Sequence, residues 1–361
     1  MTLFLNNDEI ENVLKPGDFI DVLDMAYQDY ARGKGVSVPR LDIQASPGIE
    51  GAVYQLGLVA GAVGPRYAAL RIKSDMIFQR IVDGRPRKEK YCVEPGKFMG
   101  LLLLFDIQTG ALLAIMHDGL IQKMRVGADS ALGVRLLSRP DASVLGILGA
   151  GGMAKTHLDA IRLVRNLSEV RVFSPTRDNR ETFAKTARDS GLNAIAVDTP
   201  EAVFQGSDLI AACTNAIGPV VPGALLSPGM HVTCIGGTLD QAASDKIDIG
   251  LRFGNASVPI ERPDWDYREE CISYAAGGVK AAHGGTRTFA NIAPKAQLLL
   301  SELLANPGRG RTKEQQITFS ERGNIHGVEF AAVTGLIYEK AVSAGIGRNI
   351  PTEDFLETIR N

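Results

Sequence analysis

Residues 143–165 read SVLGILGAGGMAKTHLDAIRLVR, and this stretch decides the fold. The apolar run Ser143–Leu148 predicts a short buried strand, and the residues after the small-residue turn follow the spacing of a helix. Between them stands the motif Gly149-x-Gly151-x-x-Ala154, at the point where the strand passes into the helix. That context distinguishes a dinucleotide-binding turn from a chance run of glycines.

Each small residue of this turn has a physical use. Gly149 permits the tight turn, Gly151 lets the backbone approach a pyrophosphate, and Ala154 allows the helix to pack closely on the strand. Free N–H groups and a partial positive charge at the start of the helix favour a phosphate there. We therefore predict a nicotinamide dinucleotide site, the alternative being a glycine-rich turn without a ligand. The predicted cofactor-binding residues are Gly149, Ala150, Gly151, Gly152, Met153, Ser174, Thr176, Arg177, Thr214 and Gly236.

The end of the second predicted strand bears on the choice between NAD and NADP. An NAD site usually has an Asp or Glu about 20 residues beyond the turn, where it holds the ribose hydroxyls. Here the strand ends in FSPTR at residues 173–177, with no acid before Asp178. A guanidinium and hydroxyl groups suit a 2′-phosphate, which a carboxylate would repel. We predict NADP, with NAD as the alternative cofactor and a merely solvated Arg177 as the alternative reading of that residue.

Strands and helices alternate beyond the turn. Short apolar runs separated by helix-like segments stand at Val170–Phe173, Ala194–Val197, Leu209–Ala212 and His231–Ile235. This alternation predicts an α/β fold with a parallel, doubly wound sheet. Near Asn255 the pattern weakens.

Before residue 143 strands and helices do not alternate in this way, and most of the predicted elements are strands. Two apolar runs flank Ile107–Gly110 and predict a hairpin, with Gly110 suited to a positive φ. Further predicted elements are helices at Asp18–Ala31, Gly119–Leu137, Pro294–Leu304 and Glu329–Ala344, and strands at Ala52–Ala62 and Tyr67–Ser74. Gln79–Lys97 is polar and basic and is predicted as a long surface loop, whereas Ala275–Thr286 is glycine-rich and irregular.

Composition excludes several classes of protein. The chain has 361 residues, which corresponds to roughly two domains, and 45% of them are hydrophobic, which excludes a disordered chain. Lys and Arg total 39 against 41 Asp and Glu, a near balance that argues against nucleic-acid binding. No apolar stretch is long enough to cross a bilayer, and we expect no signal peptide. The four cysteines form no CxxC pair, so we expect no metal site, no disulfide framework and a cytoplasmic location.

Further motifs follow one another along the chain. They are Asp106-x-x-Thr109-Gly110, Asp118-Gly119, MRVGADSAL at residues 124–132, LGILGAGGMAKTHLDAI at residues 145–161 and YEKA at residues 338–341. Together they resemble the ornithine cyclodeaminase/mu-crystallin family. The resemblance implies a Rossmann doubly wound parallel sheet domain inserted in a split α+β substrate-binding and dimerisation domain, and a homodimer. Residues 121–324 would form the NAD(P)-binding domain, and residues 1–120 plus 325–361 would form the other.

The same resemblance assigns three basic residues to substrate binding: Arg40, Lys73 and Arg125. A guanidinium can grip the carboxylate of an amino, imino or oxo acid through two parallel hydrogen bonds. A lysine beside the reacting carbon can donate a proton or polarise a water, so Lys73 is also a candidate catalytic residue. The alternative for each of the three is a surface charge or a structural salt bridge.

The chain departs from the family's pattern where the cyclodeaminases carry an Asp that acts on the substrate amine. That Asp stands soon after a Gly pair, and here Thr238 takes its place behind Gly236-Gly237, with Asp240 two residues late. A carboxylate displaced that far argues against ornithine cyclodeamination. Ketimine reductases of the family also lack this Asp, and Asp240 stays a candidate catalytic residue through a shift of its loop.

A second departure lies in Gly323–Glu329, where the family's Ile-Glu-Asp run would put an Asp at Phe330. His326 is a candidate proton donor because imidazole titrates near neutral pH, the alternative being an ordinary loop histidine. His283 is a weaker candidate. Five basic residues of Gln79–Lys97 could cover the substrate or contact a second acidic group, with a solvated hairpin as the alternative: Arg80, Arg85, Arg87, Lys88 and Lys90.

These residues predict an oxidoreductase in which NADPH delivers a hydride to the C=N carbon of a small 2-imino acid. A first alternative is a cyclodeaminase-like lyase that reduces and reoxidises NAD within one turnover and releases ammonia. A second is a non-catalytic NADP-binding protein like the crystallins of the family. Net consumption of the cofactor separates the first reading from the other two.

Overall fold

The computed structural model describes residues 1–82, 85–216, 218–256, 271–275 and 295–359. The strands are β1 (Thr2–Leu5), β2 (Gly35–Ser37), β3 (Arg40–Ala45), β4 (Ala52–Val63), β5 (Tyr67–Val82), β6 (Arg85–Tyr91), β7 (Met99–Asp106), β8 (Leu112–His117), β9 (Val144–Leu148), β10 (Glu169–Phe173), β11 (Ala194–Ala196), β12 (Leu209–Cys213), β13 (Pro219–Val221), β14 (His231–Gly236), β15 (Thr238–Leu239), β16 (Ile249–Gly254), β17 (Cys271–Ala275), β18 (Ala296–Leu299), β19 (Thr318–Gly323) and β20 (Arg348–Ile350). The helices are α1 (Asn7–Val13), α2 (Pro16–Ala31), α3 (Gly119–Leu137), α4 (Gly152–Ile161), α5 (Arg177–Asp189), α6 (Gln241–Lys246), α7 (Leu300–Ala305) and α8 (His326–Ala344).

One sheet carries the glycine-rich turn. Its order is β11-β10-β9-β12-β14-β19-β16-β18, and each neighbouring pair is parallel. The chain winds from β9 outward to β11 and then crosses back to β12, so the direction of winding reverses between β9 and β12. The predicted α/β fold with a doubly wound parallel sheet is thereby confirmed. Ligands of such sheets bind beyond the carboxyl ends of the strands at this reversal.

Helix α3 joins this sheet to the rest of the molecule and packs against α4. A side chain at Gly127 of α3 would overlap the carbonyl of Thr156, so glycine is needed for the two helices to approach this closely. Ala154 of α4 is fully buried, as the third position of the turn motif requires.

The other large sheet follows the order β17-β3-β4-β5-β7-β8-β1-β20, with β2 beside β4 and β6 beside β5. Side chains of β4 alternate between buried and half-buried, so one face of the sheet belongs to the core. Helix α8 covers that face. Its Gly327 lies directly on the backbone at Ala60, where any side chain would overlap the Ala60 carbonyl.

Two predicted elements are wrong. Gln79–Lys97 is not a loop throughout, because β5 continues to Val82 and pairs with β6, and the stacked rings of Phe78 and Tyr91 lie 5.0 Å apart across that pair. Pro294–Leu304 is not one helix, since its described part forms β18 beside β16 before α7 begins. A short apolar run fits either a buried strand or a helix, and pairing decides between them.

We propose the division into residues 1–120 plus 325–361 and residues 121–324 with one change. Strand β17 falls inside the range 121–324, but it pairs with β3 of the other large sheet. The predicted irregular segment Ala275–Thr286 lies outside the described residues beyond Ala275. Among the described helices, none is long and apolar enough to cross a membrane.

Candidate active site

Charged and polar side chains gather on the core face of the β3–β4–β5 region, where the cover of α8 begins. Strand pairing places them in two rows, Asp42–Gly57–Lys73 and Gln44–Gln55–Asp75. Arg40 and Arg71 stand two residues before Asp42 and Lys73, and side chains alternate along a strand, so both share this face.

Two glycines make room beside Lys73, which pairs with Gly57 on one side and Gly100 on the other. A Cβ at Gly57 would lie 2.9 Å from Asp42 Oδ1 and 3.5 Å from Arg40 Nη2. A Cβ at Gly100 would overlap the carboxylate of Asp118. Side chains from neighbouring elements therefore lie across both strands that flank the lysine.

We call the part of this face around Arg40, Gly57, Lys73 and Asp75 the cleft. Lys73 and Arg40 are its partly exposed cations. Lys73 Nζ donates a hydrogen bond to Asp75 and lies 5.3 Å from the centre of the Phe98 ring. The Lys73 side chain is 17% exposed. Arg40 Nε donates to Asp42 Oδ1 at 2.8 Å, and the Arg40 side chain is 30% exposed.

Arg125 lies deeper than a carboxylate-binding residue is expected to lie. Its side chain is 1% exposed and donates to the buried Glu329 of α8. A second donation goes to Gln122 Oε1 at 2.8 Å, and Asp129 stands 3.9 Å away. The structure therefore places Arg125 in a buried ion pair behind the cleft, and its role in substrate binding stays a prediction.

Arg71 is a cation that the sequence reasoning missed. It donates to the fully buried Asp118 and lies 5.2 Å from the ring of Phe330, whose other neighbour is the Arg125 guanidinium at 4.5 Å. Burial, together with the charge of Arg125, lowers the pKa of Arg71, and Asp118 opposes that shift. The alternation Arg71-x-Lys73-x-Asp75 within one strand was the signal available in the sequence.

A buried network continues from Arg125 toward the parallel sheet. The Tyr27 hydroxyl of α2 donates to Asp129 of α3, and the Tyr27 ring stacks on Phe253 of β16 at 4.7 Å. Burial, with the carboxylates of Asp129 and Glu329, raises the pKa of Tyr27 well above its usual value. The tyrosine therefore remains a hydrogen-bond donor that holds Asp129 in place.

The predicted dinucleotide turn has the geometry that the motif requires. Gly149 has φ +111°, and a side chain there would overlap the Cys213 carbonyl, so the turn lies against the end of β12. Gly151 is the N-cap of α4, and a Cβ added to it would meet nothing within 4 Å. Lys123 of α3 stands beside the turn, its Cδ 3.9 Å from a Cβ built on Gly152. Lys123 is a second residue that the sequence reasoning missed.

The remaining predicted cofactor residues lie at the carboxyl ends of neighbouring strands. Gly236 packs on the Thr214 carbonyl so closely that a side chain would overlap it, which joins the ends of β14 and β12. Ser174 and Thr176 follow β10, and Arg177 begins α5 with an exposed side chain. The buried Arg180 donates to the Ser174 carbonyl at 3.0 Å and fixes this segment. Ala150 and Met153 belong to the turn and to α4.

Of the three other candidate residues, two lie at the starts of helices and one lies outside the described residues. Asp240 is the N-cap of α6, where its Oδ1 accepts from Ala243 N at 2.7 Å and from Gly223 N at 2.9 Å. That capping accounts for the oxygen locally, and a catalytic role for Asp240 stays a prediction. His326 is the first residue of α8, close to the start of the cleft's cover, and its predicted role is likewise untested. His283 lies outside the described residues.

The turn and the cleft are close because the same elements serve both. Helix α3 places Lys123 beside the turn and, two residues on, Arg125 behind the cleft. Strand β19 of the parallel sheet passes into α8 with Asn324 and Ile325 between them. The cleft on the β3–β4–β5 sheet thus borders the carboxyl edge of the parallel sheet, where a doubly wound sheet binds its ligand.

This combination defines an α/β protein of the Rossmann type, in which the sheet that contains β3, β4 and β5 carries a cationic cleft. The chain belongs to the ornithine cyclodeaminase/mu-crystallin family, whose model matches residues 3–345. An alanine dehydrogenase of Archaeoglobus fulgidus is 24% identical over 357 residues, covering 97% of this chain and 98% of that protein.

Two further comparisons differ in extent. The ketimine reductase mu-crystallin of Mus musculus is 38% identical over 135 residues, which cover 37% of this chain and 42% of that protein. The match to the mouse protein thus spans less than half of its length. The structure of Thermococcus litoralis Δ(1)-pyrroline-2-carboxylate reductase in complex with NADH and L-proline has a TM-score of 0.73 at 22% identity, covering 97% of this chain and 100% of that chain. At that identity the likeness establishes the fold.

Proposed function

We propose that this protein is an NAD(P)H-dependent oxidoreductase that reduces the C=N bond of a small 2-imino acid. The observation that carries the proposal is the partial exposure of Lys73 and Arg40 in a cleft that helix α3 links to the dinucleotide turn. Family membership supports it, because the relatives include proteins named ketimine reductase and alanine dehydrogenase.

The residues of the turn fit a dinucleotide. Open space at Gly151 leaves room for a pyrophosphate, the start of α4 offers backbone N–H groups, and Lys123 adds a positive charge beside the turn. When bound, the nicotinamide supplies or accepts the hydride, and the protein supplies orientation and charge.

The cleft residues would orient the substrate. The guanidinium of Arg40, which lies over Gly57, would bind the carboxylate common to amino, imino and oxo acids. Lys73 would stand beside the reacting C=N group, and the ring of Phe98 would exclude water from the outer side of the ammonium group.

The test is oxidation of NADPH and NADH, followed by absorbance, with cyclic ketimine carboxylates and with 2-oxo acids plus ammonia or methylamine. We expect stoichiometric cofactor oxidation with a member of this panel. Ammonia release from an amino acid without net cofactor consumption would instead establish the lyase. Cofactor binding with neither reaction would establish a non-catalytic binding protein.

We further propose NADP as the preferred cofactor, with Arg177 as the residue that binds the 2′-phosphate. A charge-assisted hydrogen bond contributes enough that Arg177→Ala should lower kcat/KM with NADPH by about 10- to 100-fold. The value with NADH should change little. Lys185→Ala, an exposed cation on the same helix, is the matched control. Equal losses with both cofactors, or no loss with either, would contradict the assignment.

We also propose that two copies of the chain pack through the outer face of the mixed sheet, the one that contains β3, β4 and β5. That face is apolar and half-buried at Leu58, Ala60, Ala62, Leu70, Leu103 and Phe105. At its border, Val36 and Val38 are each 47% exposed. An apolar sheet face of this kind marks an interaction surface.

Leu70→Glu should convert the dimer to a monomer, because a carboxylate would be buried without a partner at the centre of this face. Light scattering coupled to size-exclusion chromatography measures the mass directly. Leu163→Glu is the control, since Leu163 is 53% exposed beyond the end of α4. A dimer that survives Leu70→Glu would place the interface elsewhere.

A further inference from the structure

Among the described residues, only one oxygen of the Asp75 carboxylate has a hydrogen-bond partner. Its side chain is 2% exposed, and Oδ2 accepts a hydrogen bond from Lys73 Nζ. Within the part of the chain that the structure describes, Oδ1 is buried and has no hydrogen-bond partner. A buried acceptor without a donor loses its hydration and gains nothing in return. The arrangement therefore calls for a donor that the described protein does not supply.

Among the described residues, the row of the sheet that holds Asp75 adds no second cation. In the same row, Gln55 is its neighbour on β4, and Gln44 Nε2 donates to Gln55 Oε1 at 3.3 Å. These amides are neutral, so the positive charge that Asp75 contacts comes from Lys73 in the neighbouring row. A donor that also carries positive charge would best satisfy the remaining oxygen.

The position of Asp75 separates it from the other buried carboxylates of the region. Asp118 and Glu329 pair with guanidinium groups whose side chains are only 10% and 1% exposed, behind the cleft. Asp75 pairs with Lys73, which lies next to the accessible Arg40 across Gly57. A ligand whose carboxylate binds Arg40 therefore extends toward Asp75.

We propose that Asp75 binds the positively charged nitrogen of the substrate, with Oδ1 accepting its N–H. This inference rests on the proposed function and specifies its substrate as a protonated 2-iminio acid, held by Arg40 at the carboxylate and by Asp75 at the nitrogen. Arg40 falls in register with Arg71, four residues before Asp75 on β5, but its guanidinium lies over Gly57. Gly57 is one strand and two residues from Asp75, roughly 8 Å between backbone positions. That span suits an amino-acid-sized ligand.

The hydride step then needs no proton from the protein. The iminium carbon accepts a hydride pair and forms a C–H bond, while the C=N π pair becomes the lone pair of the nitrogen. The dihydronicotinamide is oxidised to the nicotinamide cation, and the amine product takes a proton from solvent as it leaves. Asp75 stabilises the iminium charge that makes the carbon electrophilic.

The experiment compares two ligands that share a ring and a carboxylate but differ at the nitrogen. The substrate probe is Δ(1)-pyrroline-2-carboxylate, and the inhibitor probe is cyclopentanecarboxylate, which has no nitrogen. Asp75→Asn keeps the size and an oxygen acceptor but removes the charge. We expect kcat/KM for the imine to fall by about 10- to 100-fold, with the inhibition constant of cyclopentanecarboxylate changed less than about threefold.

Asp42→Asn is the matched variant, because Asp42 is the neighbouring carboxylate of the face and holds Arg40. It should weaken both ligands to a similar degree, since both carry the carboxylate. If Asp75→Asn also weakens both equally, Asp75 only positions Lys73 and the proposal is overturned. Unchanged kinetics in Asp75→Asn would overturn it as well.

Binding by the wild-type protein provides a readout that depends neither on turnover nor on the folding of a variant. Calorimetry with NADP⁺ present should show L-proline binding more tightly than cyclopentanecarboxylate. That preference without any imine reduction would support Asp75 while refuting the proposed function. Absence of the preference would refute the assignment of Asp75, whatever the outcome of the cofactor assay.

Discussion

Lys73→Ala should lower turnover by about 10²- to 10³-fold, because Lys73 and the Asp75 carboxylate that it holds are charges fixed beside the reacting C=N group, and removing one such preorganised group costs on this scale. The affinity for NADPH should stay within about threefold of the wild-type value, since Lys73 lies in the cleft and the phosphates are expected at the start of α4. Single-turnover reduction measures the first quantity, and the fluorescence of bound NADPH measures the second.

The matched control is Lys97→Ala, whose ammonium is paired loosely with Glu94 at 3.9 Å and whose side chain is 68% exposed. It should retain wild-type turnover. Full activity in Lys73→Ala would remove the lysine from the mechanism. Loss of cofactor binding together with turnover would show that the Lys73–Asp75 pair supports the fold of the cleft instead.

The parallel sheet could be predicted closely because its signals are local. The run before Gly149 forms β9, Gly151 caps α4, and Ala154 is buried beneath the helix. Each of these facts depends on residues within one βα unit. The helix predicted at Gly119–Leu137 matches α3 at both ends, since Ser138 and Asp118 flank an uninterrupted helical pattern.

The mixed sheet and its cleft were harder to predict because they depend on pairing between distant segments. Gln79–Val82 continues a strand only because Arg85–Tyr91 returns beside it. Arg71 pairs with Asp118, which is 47 residues away along the chain, and Arg125 pairs with Glu329, which is 204 residues away. No local sequence pattern predicts such pairings. The resemblance singled out Arg125 as a substrate ligand, and the geometry adds a buried acid at its side.

Glu329→Ala should be the most destabilising single substitution that we predict, because it leaves Arg125 charged and buried. Removing one partner of a buried ion pair costs about 3–5 kcal/mol. The midpoint of thermal unfolding should fall by about 4–7 °C for a chain of 361 residues. Differential scanning calorimetry checks this, with Glu339→Ala on the same helix as control, since Glu339 makes its ion pair with Arg66 at the surface. A shift no larger than that of the control would mean that Arg125 is not confined to the pair.

The double variant Arg125→Met/Glu329→Leu separates stability from substrate binding. Replacing both charges by apolar side chains of similar size removes the unpaired group, so most of the lost stability should return. If the pair is a scaffold, this variant should retain cofactor oxidation, and Arg40 is then sufficient for the carboxylate. If the variant is stable but KM for the imine rises by more than about 10-fold, Arg125 reaches the substrate and the pair opens on binding. The sequence resemblance predicts the second outcome and the 1% exposure of Arg125 predicts the first, so one stable variant decides between them.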